Sequence, residues 1–236
     1  MPPELNFAQR AQLVEWMDEP CSDAELRACL RDLMKVNRTV LGYRPTLHWL
    51  AQFARGAEPP LHIVDVGCGG GDMLRRIEAW ARRNHVTVRL TGVDRNPLVI
   101  AAAGAFSGPK SSIEWIASEA GAYRPSSSID LVISSLFTHH LSDAEVVGFL
   151  QWMERYATRG WFINDLRRGA VTYYLFKLLA WAMRWHRFVR HDGPVSIRRS
   201  FTPRDWSRYV NGAGLDTSSV TIFDAWPGRL CVARVK

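Results

Sequence analysis

Two apolar rhythms share this chain, and they change over near Leu61. Upstream, apolar residues recur at intervals of three and four, the period of an amphipathic helix. Downstream, such stretches alternate with short unbroken apolar runs that suit strands buried on both faces. The runs LHIVDVG (61–67), VRLTGVD (88–94), SIEWIAS (112–118), IDLVISS (129–135) and GWFIND (160–165) read as five strands. Helical patterns follow at 72–83, at 96–105 with Pro97 in its first turn, and at 142–157, where Ser142 and Glu145 stand in a capping-box relation. A further helix is expected over 201–215, starting at Pro203 and stopping at an NGAG turn. The last two runs, 216–226 and 228–236, meet at Pro227-Gly228 and must be antiparallel neighbours. Repeated β-α alternation with right-handed crossovers gives an α/β, doubly wound, seven-stranded sheet, with five parallel strands and a terminal antiparallel hairpin.

The upstream rhythm predicts three helices. FAQRAQLVEWM (7–17) places Phe7, Ala11, Val14 and Met17 on one face, widened by Leu13 and Trp16. SDAELRACLRDLMKVNRTVLGY (22–43) opens on Ser22 with Glu25 three residues on, a second capping box. A third helix runs from Pro45 to Ala54 and ends near Gly56. Residues 1–58 are therefore expected to form a helical cap, and 59–236 an α/β domain. Within that domain, about 169–199 breaks the strand rhythm. Tyr173, Leu175, Phe176, Leu179, Trp181 and Trp185 cover nearly all sides of a helix there, which then needs burial or a hydrophobic ligand. The stretch reads as a lid over a pocket, closed against the N-terminal helices. RHDGPVS (190–196) reads as a loop in which His191 and Asp192 act as an anchor.

Composition narrows the class. The 236 residues are 47% apolar, enough for a core and against disorder. No apolar run reaches the roughly 20 residues of a membrane span. No apolar core of signal-peptide length opens the chain, so retention in the cytoplasm is expected. Cys21, Cys29, Cys68 and Cys231 form no Cys-x-x-Cys pair, which argues against zinc and against a disulfide framework. The net charge is +7, and between Arg155 and Arg208 stand 11 arginines and one lysine against three aspartates. Such a patch draws nucleic acid, an anionic substrate or a membrane surface. The plainer reading is a solvated face paired with acids of the N-terminal half.

The candidate chemistry starts at the end of the first strand. Four glycines fall within five positions, Gly67 to Gly71, between Asp65 and a helical pattern. Such a turn lets backbone approach a ligand that side chains would exclude, and the next helix offers free N–H groups. A dinucleotide fingerprint needs glycine at the sixth position from Gly67, which here is Asp72. No Gly-Lys-Ser/Thr follows either, so a nucleoside triphosphate is disfavoured. Asp65 could also cap the turn locally.

VDVGCGGGDML (64–74) resembles the first motif of class I S-adenosylmethionine-dependent methyltransferases. The resemblance implies a Rossmann-like sheet, S-adenosyl-L-methionine as cofactor, and Asp65, Gly67, Cys68, Gly69 and Gly71 around its methionine part. GVDRNP (92–97) is similar to the segment whose acid, here Asp94, accepts from both ribose hydroxyls, with Arg95 beside it. IEWIASEA (113–120) resembles the adenine-contacting segment and implies Ser118 and Glu119, where the family more often has Asp. IDLVISSLFTHHLSD (129–143) resembles the fourth motif, whose strand end, with Ser134 and Ser135, lies near the reactive methyl. GWFINDLRRG (160–169) is similar to the fifth-strand segment. The likeness covers about 61–169, and the hairpin extends it to Lys236.

An oxygen acceptor gains from a nearby base, and histidine is poised near neutral pH. His139, His140 and Asp165 are the catalytic candidates. Two adjacent histidines with no third ligand at metal spacing predict no metal. Asp165 could instead pair with Arg167 or Arg168. Asn37, Tyr43, Tyr173, Phe176 and Arg167 are the candidate acceptor contacts. MDEP, LRDLMKVNR and NDLRR resemble bacterial enzymes acting on phenolic or polyketide-type metabolites. The expected function is methyl transfer to oxygen of a small aromatic or lipophilic acceptor, in bacterial secondary or quinone-like metabolism. The partner is that small molecule; no nucleic acid and no membrane span are expected, peripheral contact stays open, and the chain is a monomer or homodimer. An RNA methyltransferase and a non-catalytic cofactor-binding subunit are the alternatives.

Overall fold

One sheet carries β1 (Leu61–Val66), β2 (Val88–Asp94), β3 (Glu114–Ala117), β4 (Ile129–Ser135), β5 (Ala157–Leu166), β6 (Val220–Ala225) and β7 (Arg229–Val235). This is a computed structural model that describes residues 5–19, 21–54 and 60–236. The strand order is β3-β2-β1-β4-β5-β7-β6. The first five strands run parallel, and β7 lies antiparallel between β5 and β6. Strand order reverses between β1 and β4, and a doubly wound sheet binds ligands at that switch point, outside the carboxyl ends of its strands.

The strands alternate their side chains between two cores. Val64, Val66, Val132, Ile163 and Val232 meet the face covered by α5 (Asp143–Tyr156) and α8 (Pro203–Gly212). Leu61, Ile63, Leu131, Phe162 and Cys231 meet the face covered by α2 (Arg44–Ala51) and α3 (Asp72–Arg83). Both expected capping boxes form, Ser22 with Glu25 at α1 (Asp23–Thr39) and Ser142 with Glu145 at α5. Asn96 caps α4 (Pro97–Phe106) through the Leu98 amide. Among the described residues no helix is long and apolar enough to cross a membrane.

The helix expected over 7–17 does not form. The segment is an irregular strap that ends in a 3-10 turn at Trp16–Asp18. Its backbone groups are taken by distant partners. Ala11 N–H donates to Arg198 O (3.0 Å), and Arg168 donates to Phe7 O (2.9 Å) and Ala8 O (3.2 Å). The Trp16 and Met17 amides donate to the Asp192 carboxylate at 2.9 and 3.0 Å. An isolated helix shorter than about 12 residues is marginal, so these tertiary bonds prevail over the periodicity.

The lid is two helices, α6 (Ala170–Ala182) and α7 (Arg187–Arg199). His191, Asp192, Gly193 and Pro194 lie inside α7 and not in a loop. Gly193 serves close packing here, because a Cβ on it would sit 2.0 Å from the Phe176 ring. One side of the pair closes on α1, with Cys29 and Val36 against Ala180, Trp185, Phe188 and Val189. The rest, expected to need burial or a hydrophobic ligand, stays outside the core: Leu175 and Trp181 are 62% and 67% exposed. The third helix, α2, is shorter than expected, and Gly56 lies outside the described residues.

Candidate active site

A cavity of about 1150 Å³ opens over the C-terminal ends of the parallel strands, lined by Asp65, Asp94, Ser118, Ser135 and Leu166 among others. Single-ligand pockets run from about 300 to 1,000 Å³, so this space can take a cofactor and an acceptor together.

At one end lies the glycine turn. Gly67 and Gly71 adopt φ of +71° and +73°, and a Cβ on them would meet Phe137 at 2.3 Å and Trp115 at 2.2 Å. Gly71 lies outside the cavity lining, so Trp115 and the left-handed backbone demand glycine there, not a ligand. Gly69 differs, since nothing lies within 4 Å of its would-be Cβ and it faces the cavity. Asp65 is buried, and its Oδ1 has no hydrogen-bond partner. Burial first, then Asp72 and Asp94, push its carboxyl well above the usual range. A ligand that brings a cation to Asp65 and polar edges to Gly69 fits this cradle. Asp94 accepts from the Gly69 amide through Oδ2 and the Asn96 amide through Oδ1, both at 3.0 Å. Arg95, Ser118, Glu119 and Ser135 line the same end. Cys68 lines it too, and burial above all pushes its thiol upward, so it stands there as a neutral wall. Ser134 does not face the ligand space; its hydroxyl donates to Val66 O (2.8 Å) and ties β4 to β1.

At the other end the fold assembles acids and imidazoles. Asp165, at the end of β5, accepts from the His139 amide (3.0 Å), the Thr138 hydroxyl (2.5 Å) and the Leu166 amide (2.7 Å), and its Oδ1 meets His139 Nδ1 at 2.7 Å. Burial works against its charged form, but the charge and hydrogen bond of His139, with the other donors, outweigh it and hold the carboxyl far below the usual range. The expected pairing with arginine is corrected. Arg168 joins Asp205 (2.9 Å), and Arg167 turns outward to Asp224 (3.1 Å), away from the cavity. Glu15, from the strap, enters between the histidines. Its Oε1 lies 3.8 Å from His139 Nε2 and its Oε2 3.7 Å from His140 Nε2. Ser196 donates to it (2.8 Å), and Arg199 stands 3.5 Å away. So the two histidines do have a third ligand-type group nearby, with all three ligand atoms within 4.8 Å, contrary to the sequence spacing. Glu15 could not be found from sequence, because 124 residues separate it from His139 and the periodicity assigned it to a helix.

The acceptor candidates divide. Phe176, Asn37 and Tyr43 line the cavity. Asn37 Nδ2 and Tyr43 Oη both donate to Asp72 Oδ2, at 3.0 and 2.7 Å, so they hold one another as well as facing a ligand. Burial first, then Asp72, pushes the Tyr43 phenol upward. Tyr173 is buried against Phe7, ring centroids 5.5 Å apart, and does not line this cavity. Val171, Leu175 and Trp226, all exposed, form an apolar mouth. Some of the arginines of 155–208 pair with acids, as in Arg187 with Glu25 and Arg208 with Asp143.

Residues 63–160 match the family described as a methyltransferase domain. A trans-aconitate 2-methyltransferase of Streptomyces coelicolor is 26% identical over 197 residues, which are 78% of this chain and 61% of that protein. Its counterpart in Streptomyces avermitilis is 33% identical over 96 residues, 39% of this chain and 34% of that protein. The chain thus spans about a third to three fifths of the lengths of the curated relatives it matches. The plantazolicin methyltransferase BamL, solved with a triazolic desmethylPZN analog and SAH, shares the fold at a TM-score of 0.64 and 14% identity, over 88% of this chain and 73% of that one.

Proposed function

We propose that the chain is a class I S-adenosylmethionine-dependent methyltransferase, a reading supported by its match to a methyltransferase domain and by its fold, and that it methylates an oxygen of a small aromatic or lipophilic acceptor. The cofactor supplies a methyl already activated on a sulfonium. The chain supplies placement, desolvation and a base. Asp65, Gly67 and Gly69 hold the methionine end, and Asp94, Ser118 and Glu119 the adenosine end. At the far end Asp165 fixes the His139 ring through Nδ1, which leaves Nε2 on the side of Glu15 and the cavity. That pair is the observation that carries the reading. An imidazole held by a buried carboxylate takes a proton from a hydroxyl brought to Nε2, and a phenol, with an ordinary pKa of about 10, gains nucleophilicity from losing it. The proton then lies 3.8 Å or less from a buried carboxylate at Glu15. The apolar mouth at Val171, Leu175 and Trp226 supports a lipophilic acceptor. Relatives in two Streptomyces species support bacterial small-molecule metabolism as the setting.

His139→Gln tests this. The turnover of phenolic acceptors should fall about 10³-fold while cofactor affinity stays unchanged. Unchanged turnover would remove the base. A carboxylate acceptor is the second reading, favoured by the trans-aconitate relatives. A carboxylate is already ionised, so turnover of carboxylic acids alone, indifferent to His139→Gln, would select it.

A further inference from the structure

Two buried side chains of opposite charge face the cavity, and each keeps one atom without a partner. They are Asp65 Oδ1 and Arg229 Nη1. The residues are 1% and 3% exposed. A buried charge left unmatched is costly, and removing its partner from an established pair is among the most destabilising changes known. Burial lowers the Arg229 guanidinium from its ordinary value, more than the charges of Asp165 and Asp72 restore, and raises the Asp65 carboxyl, so both would be eased by a closer counter-charge.

Arg229 is held firmly for this. Its Nη2 donates to Asn37 Oδ1 (3.1 Å). Asn37 in turn donates to Asp72, which also accepts from Tyr43. The guanidinium lies so close to Gly42 that a Cβ there would meet Nη2 at 2.5 Å. Among the described residues no carboxylate stands within ion-pair distance of it. Side-chain alternation puts Arg229 on the same sheet face as Cys231, and Asp65 on the same face as Leu61 and Ile63, all packed toward α2 and α3. The strands β1 and β7 are three spacings apart, roughly 14 Å, and both side chains line the same cavity. One ligand can satisfy both residues if it carries an ammonium and a carboxylate on neighbouring atoms, that is, an α-amino acid group.

We propose that Arg229, from the terminal hairpin, is the carboxylate receptor of the cavity, and that it takes the α-carboxylate of the cofactor while Asp65 takes the α-ammonium. This rests on the cofactor reading above. The same guanidinium chemistry would also hold a carboxylate on the acceptor, and the experiment separates the two sources.

Calorimetry on the full chain would use three probes: S-adenosylhomocysteine, its decarboxylated analogue, and 5′-methylthioadenosine, which lacks both charged groups. In the unaltered protein, S-adenosylhomocysteine should bind about 100-fold tighter than the decarboxylated analogue. Arg229→Gln should abolish that difference by weakening S-adenosylhomocysteine alone, and Arg229→Lys should restore part of it. Asp65→Asn should weaken both amine-bearing probes and spare 5′-methylthioadenosine. Equal binding of the carboxylated and decarboxylated probes by the unaltered protein overturns the proposal, whether or not the variants fold. So does a loss in Arg229→Gln that is equal for all three probes, which marks a structural role. A change confined to the KM of an acidic acceptor also overturns it, because the carboxylate is then the acceptor's. No binding of any nucleoside by the unaltered protein would sink the cofactor reading itself.

Discussion

The two ends of the cavity are built in opposite ways. The end proposed for the cofactor comes from three short segments, 65–72, 94–96 and 118–119, each at the carboxyl end of a parallel strand. The end proposed for the acceptor comes from Glu15, His139, His140, Asp165 and Ser196, brought together from the strap, a 3-10 turn, a strand end and the lid. A strand-to-turn motif carries its geometry in its own backbone, so it works wherever the sheet forms. A constellation drawn from four elements exists only if their packing holds. The first end should therefore fail through local backbone strain, and the second through loss of remote anchors.

The largest effect should come from Gly71→Ala. Its Cβ would enter Trp115 in a left-handed backbone, and strain plus overpacking should cost about 3 kcal/mol and cut cofactor affinity with it. Thermal melts with and without S-adenosylhomocysteine check this, and a near-neutral result would mean that Trp115 moves freely aside. Next comes Asp165→Asn, at about 2 kcal/mol near pH 7. Because the folded carboxyl lies below its ordinary value, its contribution is full above the unfolded pKa of about 3.9 and is lost as pH falls through the folded value. The gap between the two proteins in urea melts should thus narrow below about pH 4; a gap that widens in acid contradicts a carboxylate stabilised by its hydrogen bonds in the folded protein.

Smaller effects probe the strap. Arg10 donates to Arg199 O (2.7 Å) and Leu141 O (2.8 Å) and pairs with Asp143 (2.8 Å). Arg10→Ala should loosen Glu15 and raise the acceptor KM about 10-fold, as these charge-assisted bonds are lost, with cofactor affinity unchanged. A loss of cofactor affinity instead would show that the two ends are not independent. The smallest effect belongs to metal removal. Glu15 is already engaged by Ser196 and faces Arg199, so chelation with EDTA should leave turnover unaltered. Activity lost to EDTA and restored by a divalent cation would turn Glu15, His139 and His140 into a metal site.

Much of the cofactor end was legible because its signals are local. The acid, the glycines and the strand before them fix a turn, and Asp94 sits at the same height on the next strand because parallel strands place their C-terminal ends together. Even so, the sequence could not say that Gly71 answers to Trp115, or that Ser134 ties two strands. The strap misled because its apolar spacing is helical while the partners of its backbone groups are Arg168 and residues of α7, 160 or more residues away.

Sequence alone determined the α/β alternation, the terminal hairpin, both capping boxes and the glycine turn, since each depends on neighbours within a few residues. Tertiary structure alone decided that Glu15 stands between two histidines, that Asp165 pairs with His139 and not with the adjacent arginines, and that Arg229 Nη1 lies buried without a hydrogen-bond partner. Those contacts join residues far apart in the chain. Packing creates them, and no short-range pattern encodes them.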